Sequence, residues 1–145
     1  MYSDRVDYII RNLDNVIQIA KQDSIKEIYG MSKSRIFEKG LSKYDQPIGK
    51  YNTDFHRLGS DKSYVQERKD KGLQTAFVDL VFTGKLKDSI ESNNISQIYF
   101  KNIYGSVIMA ENEKNFKTRI AAPDQKEKEV YLKILTEELT KLWKS

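Results

Sequence analysis

The chain has 145 residues, of which 39 % are hydrophobic and 32 % charged, and its formal net charge is +4. This length is typical of one domain with a single core, and no apolar run approaches the roughly 20 residues that span a bilayer. Cysteine is absent, which excludes disulfides, thiolate catalysis and cysteine-based metal sites and is typical of assembly in a reducing cytoplasm. Residues 1–5 include no basic stretch that leads into an apolar one, so we expect no secretion signal.

The net charge is unevenly distributed along the chain. Residues 1–30 hold four Lys/Arg and five Asp/Glu, residues 31–72 hold ten and six, and residues 73–145 hold eleven and ten. The basic excess of the middle segment is typical either of a surface for nucleic acid or an acidic partner, or of a solvated connecting region. Because six acidic residues are interspersed there, we favour the solvated region.

A long amphipathic helix is predicted from about Asp4 to Tyr29, with Gly30 as its end. Ser3 or Asp4 can cap its free N–H groups. We expect the apolar stripe to face the core, and part of it to face a neighbouring subunit, because such a helix is longer than a small sheet. The stripe consists of Val6, Ile9, Ile10, Leu13, Val16, Ile17 and Ala20.

A second helix and a long loop follow. Residues 32–38 predict a short helix with Ile36 and Phe37 facing inward and Gly40 at its end. Residues 41–74 have no periodic pattern and predict an extended loop or arm that contains a short charged helix near its end, at 63–71. Loops of this length in a compact domain are usually functional or mobile. The scattered aromatic residues indicate that the arm is held against its own domain or against a partner.

The most strand-like stretch of the chain, residues 75–90, predicts the central hairpin of a small sheet. Thr83-Gly84 breaks the first strand, and glycine turns a chain at little steric cost. Leu86 and Ile90 then predict a second strand that pairs back on the first. The alternating apolar positions of the first strand are Ala76, Val78, Leu80 and Phe82.

Further strands are predicted after this hairpin. Asn93-Asn94 indicates a turn, and residues 95–101 predict a third strand. Tyr104-Gly105 indicates another turn. Residues 107–109 are compatible with a short fourth strand or with the start of a helix that runs through Phe116.

The last predicted element is a helix at 124–144 with an apolar stripe at helical spacing. Asp124 and Glu127 resemble a capping box at its start. Trp143 near its end is compatible with a core residue or an exposed interface anchor, and we favour the core. Together the elements predict one α+β domain over residues 1–145. A small antiparallel sheet of three to four strands, within residues 75–109, packs with a long N-terminal and a C-terminal helix, and residues 41–74 form a long central arm.

The sequence contains no motif for catalysis. GxxxxGK[ST], GxGxxG, HExxH and GxSxG are all absent. His56, the only histidine, has no histidine or cysteine near it, so we expect no metal or catalytic role for it. The acidic pairs Glu111/Glu113 and Glu137/Glu138 are interpreted as solvated charges on polar helical surfaces. We therefore expect no enzymatic activity, no cofactor and no metal ion.

Two stretches, residues 40–51 and 78–90, resemble a family of neck proteins of tailed bacteriophages, the head–tail connector or tail-completion proteins. The resemblance rests on Ile-Gly-x-Tyr at 48–51 and Leu-x-x-Thr-Gly-x-Leu-x-x-Ser-Ile at 80–90, and it extends loosely from the first helix to the last. It implies an α+β subunit without enzymatic activity that assembles into a ring, six- or twelve-fold, between portal and tail. The implied partners are portal or adaptor proteins and tail proteins of the virion, and the implied location is the virion neck after assembly in the host cytoplasm, without secretion or membrane contact.

A ring subunit needs two different faces that bind neighbours head to tail. We hypothesise that the arm and the Thr83-Gly84 turn form these contacts, with at most non-specific contact to DNA in the channel. The predicted interface residues are Tyr44, Ile48, Tyr51, Phe55, Tyr64, Thr83, Gly84 and Leu86.

The alternative from a different class is a small basic module that binds nucleic acid. In that case Tyr51 and Tyr64 would stack on bases while neighbouring cations bind phosphates. The predicted nucleic-acid contacts are Arg57, Lys62, Arg68, Lys69 and Lys71.

Overall fold

The computed structural model of the chain describes residues 2–91, 99–101 and 103–145. It is mostly helical, with 61 % helix and 3 % strand. The predicted α+β fold with a three- to four-stranded antiparallel sheet is therefore wrong: within these ranges, two strands of two residues each pair antiparallel, with Ile90 opposite Phe100. The elements are α1 (Tyr2–Lys33), α2 (Tyr64–Asp70), α3 (Lys85–Asp88), β1 (Ile90–Glu91), β2 (Tyr99–Phe100), α4 (Ile103–Phe116) and α5 (Gln125–Lys144).

Residues 76–82 form irregular backbone instead of the first strand of a hairpin. Val78 and its neighbour Asp79 are both buried, whereas a strand points neighbouring side chains to opposite faces. Leu80 has a φ of 57°, in the left-handed region, so the extended path stops there. The Asp79 carboxylate accepts the N–H of Val81 (3.0 Å), a group that a neighbouring strand would otherwise bind. Hydrogen bonds to a buried acid thus replace the strand pairing that the alternation predicted.

Thr83-Gly84 is a turn as predicted, but it leads into α3 and not into a second strand. Gly84 has a φ of 87°, and Thr83 Oγ1 accepts the N–H of Lys85 (3.3 Å). The third strand predicted at 95–101 is represented by β2 among the described residues. The predicted Asn-Asn turn and the first part of that strand, residues 93–98, lie outside them.

α4 occupies the stretch for which strand and helix were both open. Residues 107–109 lie within it, so the helical alternative is correct and a fourth strand is wrong. The turn predicted at Tyr104-Gly105 is also wrong, because both residues are helical. A Cβ added at Gly105 would lie 2.4 Å from Ser89 Oγ and 2.7 Å from Phe100 Cδ1. The glycine thus allows α4 to approach its neighbours closely and does not bend the chain.

α1 is longer than predicted and continues beyond Gly30. A Cβ at Gly30 would meet nothing within 4 Å, so this glycine lies on the open side of the helix. A glycine inside a helix destabilises it by only about 1 kcal/mol relative to alanine, and packing elsewhere on α1 outweighs this. Ser34–Glu38 extend α1 as a π-helical turn, and Gly40, with a φ of 64°, follows it. Ile36 and Phe37 are buried, as predicted.

α1 and α5 pack against each other in antiparallel orientation. Ser32 donates a hydrogen bond to the Glu127 carboxylate near one end, and at the other end the Arg5 guanidinium carbon lies 5.5 Å from the ring centre of Trp143. Fully buried Ala20 on α1 contributes a small side chain to the buried face of the helix. Trp143 is 55 % exposed, so the prediction that it belongs to the core is wrong.

The main core lies near the end of α1, around the π-helical turn. The N-terminal half of α1 projects away from it, because a 32-residue helix is about 48 Å long at 1.5 Å per residue. Ile10 and Leu13 in that half remain 63 % and 37 % exposed. No helix among the described residues is both long enough and apolar enough to cross a bilayer. The core side chains are Ile36, Phe37, Ile48, Val78, Leu86, Ile90, Met109 and Ile120.

Residues 41–74 are irregular apart from α2, which lies where the short charged helix was predicted and is capped by the Ser63 side chain. The segment is not an extended arm over its whole length. Ile48 is only 3 % exposed, and its N–H donates to the carbonyl of Gly40 (2.9 Å). The first part of the segment therefore belongs to the body of the domain, and only the stretch before α2 is broadly exposed.

Candidate interaction groove

A groove of about 670 Å³ lies between residues 50–55, residues 78–86 and α4. Its polar lining consists mainly of Lys50, Thr83 and asparagine side chains. No histidine, cysteine or carboxylate from the described part of the chain lines it, so its chemistry is typical of binding apolar groups and not of acid–base catalysis. We call it the aromatic groove, after Tyr51, Phe55, Tyr64, Phe82, Tyr104 and Phe116.

The aromatic groove brings together most of the predicted interface residues. Tyr44 lies outside the groove and is 60 % exposed, and Ile48 is buried in the core. The contribution of Tyr104 and Phe116 to the groove was not predicted, because Tyr104 was assigned to a turn and the stretch up to Phe116 was left open between strand and helix. Both residues lie on α4, which forms one wall. The six predicted residues that line the groove are Tyr51, Phe55, Tyr64, Thr83, Gly84 and Leu86.

Tyr64 is the centre of the aromatic wall. Its ring centre lies 5.6 Å from that of Tyr51, 6.2 Å from that of Phe55 and 5.3 Å from that of Phe82. The first two pairs are edge-to-face, an arrangement that aromatic quadrupoles favour. α2 thus fixes one ring that orients three others, although the four come from separate parts of the chain.

The fully buried guanidinium of Arg68 supports this wall from behind. Its Nη2 binds Asp79 Oδ1 (3.1 Å), its Nε donates to the Gln74 carbonyl (3.0 Å), and its Nη1 donates to the Val81 carbonyl. Its Cζ also lies 4.4 Å from the ring centre of Tyr51. A buried charge needs such partners, since an unpaired ion in the interior is strongly destabilising.

The hydroxyl of Tyr51 is part of the same network. It donates to Asp79 Oδ1 (3.0 Å) and accepts the N–H of Asp79 (3.2 Å). Burial, together with the neighbouring carboxylate, raises the pKa of Tyr51 well above its ordinary value. The groove therefore presents a neutral tyrosine over the whole physiological range.

Most of the predicted nucleic-acid contacts already have partners within the chain. Arg68 is inside the protein, Arg57 forms a two-bond ion pair with Glu67 (2.7 and 3.0 Å), and Lys62 binds Asp70 (2.7 Å). The Arg57 ion pair lowers the pKa of Glu67. Lys71 Nζ lies 4.5 Å from the ring centre of Phe82, and Lys69 is exposed. The structure therefore leaves few of these cations free to bind phosphates.

A second buried ion pair was not predicted from the sequence. Glu127 was expected to bind back to the start of α5 as part of a capping box, and the Asp124 side chain does accept the N–H of Glu127 (2.8 Å). The Glu127 carboxylate, however, binds Arg35 Nε (2.7 Å) and accepts the Ser32 hydroxyl. This network fixes the start of α5 to the end of α1. Arg35 and Glu127 are 92 residues apart in the sequence, and no local sequence pattern reveals such a pairing.

Asp45 and Asp124 form a pair of carboxyl groups beside this network. A hydrogen bond to Asp124 and its negative charge, together with burial, raise the pKa of Asp45 above its ordinary value. Asp45 also has a φ of 57°, a conformation that aspartate and asparagine tolerate better than most residues.

No set of three or more potential metal ligands converges within residues 2–91, 99–101 and 103–145. His56 is exposed, with Nδ1 at 3.3 Å from the Ser60 carbonyl oxygen. Glu113 is not simply solvated as interpreted, because its carboxylate accepts the N–H of Ile120 (2.6 Å). No protein-family model, curated protein or solved structure matches the chain.

Proposed function

We propose that this chain is a structural protein of a tailed-bacteriophage virion, a ring-forming subunit of the neck that joins the head portal to the tail. The observation that carries the proposal is that the two stretches resembling neck proteins, 40–51 and 78–90, pack into one unit. Val78 donates its N–H to the Gly49 carbonyl (3.2 Å), and a Cβ on Gly40 would lie 2.4 Å from the Val78 carbonyl oxygen. Both stretches also line the aromatic groove.

Exposed apolar side chains outside the groove are compatible with further contacts between subunits. On the α1–α5 pair, Ile10, Leu132 and Trp143 are 63 %, 53 % and 55 % exposed. A closed ring needs two unlike surfaces on each subunit, and the groove supplies a candidate for one of them.

The nucleic-acid module has less support. Of the residues proposed to form its basic surface, Arg68 is buried, and Arg57 and Lys62 form ion pairs with acidic side chains. The base-stacking ring of Tyr51 is already covered on one face by the Arg68 guanidinium.

Light scattering of the purified chain over a range of concentrations, with negative-stain images of large species, tests the proposal. We expect closed rings, and we expect Phe55→Asp at the groove to shift them to smaller species. Ser106→Asp on the exposed side of α4 is the matched control and should leave the rings unchanged. A strict monomer that shifts labelled DNA at low salt, and releases it near physiological salt, would instead support the nucleic-acid module.

A further inference from the structure

Leu58 is the most exposed large apolar side chain among the described residues, with a relative exposure of 107 %. It sits in a turn where Ser60 N donates to the Arg57 carbonyl (2.9 Å) and where Gly59 has a φ of 79°. We call residues 57–60 the Leu58 knob. An apolar side chain held in water by an ordered turn has no role in the stability of its own chain.

The turn is fixed by its neighbours. Arg57 is clamped by Glu67 on α2, and Ser60 Oγ donates to the same carboxylate (2.9 Å). Tyr64 N donates to the Phe55 carbonyl (2.7 Å), which closes the loop at its base. Because the knob is already ordered, its binding to a partner costs little conformational entropy.

We propose that the Leu58 knob binds in the aromatic groove of a second copy of this chain. The knob does not fill its own groove: Phe55, three residues earlier, lines it, whereas Leu58 does not. The groove offers an apolar, aromatic lining with ample room for a leucine side chain. This inference rests on the proposed self-assembly and identifies the contact that drives it.

Charge also favours a second copy as the occupant. Asp54 and Asp61 flank the knob, are exposed, and form no ion pair with any residue that the structure describes. Arg57 and Lys62 in the same loop are already neutralised by acidic partners. In the groove, Lys50 is the charged lining residue and likewise has no ion pair within the described ranges. The acidic side chains of Asp54 and Asp61 beside the knob can thus approach Lys50 in the groove lining, which favours this pairing over binding to nucleic acid.

The absence of cysteine from the chain allows a clean cross-linking test. Two full-length variants that differ in a tag, Leu58→Cys and Asn115→Cys, are mixed and oxidised, and the mixed disulfide is measured. Asn115 lies on the groove wall formed by α4. The control partner is Leu132→Cys, which is also exposed but lies on α5, outside the groove. We expect the groove pair to cross-link at least about tenfold faster, because binding raises the effective concentration; equal rates would overturn the proposal.

Light scattering of Leu58→Asp separates this inference from the proposed function. If Leu58 is buried in the groove of a second copy, its replacement by aspartate should raise the dissociation constant of the contact by about 30-fold or more. Leu58→Met keeps an apolar side chain of similar size and should preserve assembly. Rings that survive Leu58→Asp unchanged would refute the knob contact and leave the ring proposal standing. Groove-specific cross-linking in a protein that forms only closed dimers would support the knob contact and contradict the neck ring.

Discussion

The buried ion pair between Arg35 and Glu127 gives the sharpest test of the energetics. Both side chains are almost completely buried, at 4 % and 1 % exposure. Glu127→Gln removes the negative charge but keeps an oxygen that can accept from Arg35 and Ser32. Arg35→Met removes the positive charge and every donor of the guanidinium while keeping much of its apolar volume.

The two substitutions should differ in cost because the partners left behind differ. After Glu127→Gln, Arg35 still donates to the carbonyls of Leu41 (3.0 Å) and Ala122 (2.7 Å), and its Nε lies 3.7 Å from the Asp124 carboxylate. Removing one partner of a buried pair typically costs 3–5 kcal/mol, and these remaining contacts reduce the loss to about 2 kcal/mol. After Arg35→Met, the Glu127 charge loses its cation and the carbonyls lose their donors, so we expect about 5 kcal/mol.

Urea unfolding followed by far-ultraviolet circular dichroism measures both values, since the described part of the chain is mostly helical. The double variant Arg35→Met/Glu127→Gln removes both charges, and its cost should fall below the sum of the two single changes. Equal costs for Glu127→Gln and Arg35→Met, or a cost of the double variant equal to the sum of the two single costs, would show that these two buried charges do not stabilise each other.

Four further substitutions test the backbone and the titrating groups. Gly40→Ala should destabilise the fold by about 3 kcal/mol, because the new Cβ would lie 2.4 Å from the Val78 carbonyl oxygen and Gly40 has a φ of 64°. Gly59 has a φ of 79° but no atom within 4 Å of the added Cβ, so Gly59→Ala should cost about 1 kcal/mol. Asp45→Asn should stabilise by about 0.5 kcal/mol at pH 7, a value discounted for solvent screening, because it removes repulsion from Asp124. The raised pKa of Tyr51 means that its neutral form favours the fold, so stability should fall as pH rises above about 10, and Tyr51→Phe should flatten that fall.

Each of these changes has its own control. Thermal melts of the two glycine variants are compared directly, and equal costs would show that the close contact at Gly40 relaxes freely. The pKa of Asp45 is raised in the fold, so ionised Asp45 destabilises the wild-type protein. This destabilisation is absent below the pKa that Asp45 has in the unfolded chain, and it grows as pH rises through the pKa of Asp45 in the folded protein. The gain from Asp45→Asn should therefore shrink at about pH 3, and a gain independent of pH would contradict the repulsion. For Tyr51, tyrosine absorbance at high pH should show one group that ionises only on unfolding.

The helices were predictable where local chemistry fixes them. The ends of α5 follow from Asp124 and the apolar stripe, and α2 follows from Ser63 as its cap. The end of α1 was misplaced at Gly30, because a surface glycine costs a long packed helix little.

The hairpin at 75–90 could not have been rejected from its pattern alone. Its alternation is real, but Asp79 at its centre binds Arg68 from another segment, and that tertiary contact replaces strand pairing. For the same reason the groove was predicted only in part. Its residues from 51–64 and 83–86 were proposed as an interface, whereas the wall formed by α4 depends on tertiary packing that the sequence does not show.

The pairing of α1 with α5 has a consequence for biosynthesis. The partner helices are separated by residues 34–124, so the first is made long before the second. At synthesis rates of about 5–20 residues per second, α1 remains without its partner for roughly 5–20 s. An isolated amphipathic helix is only marginally stable in water, and its apolar stripe is exposed to chaperones and to other nascent chains during that interval. The last twenty residues of the chain, and not the first thirty, therefore determine when α1 becomes a stable helix.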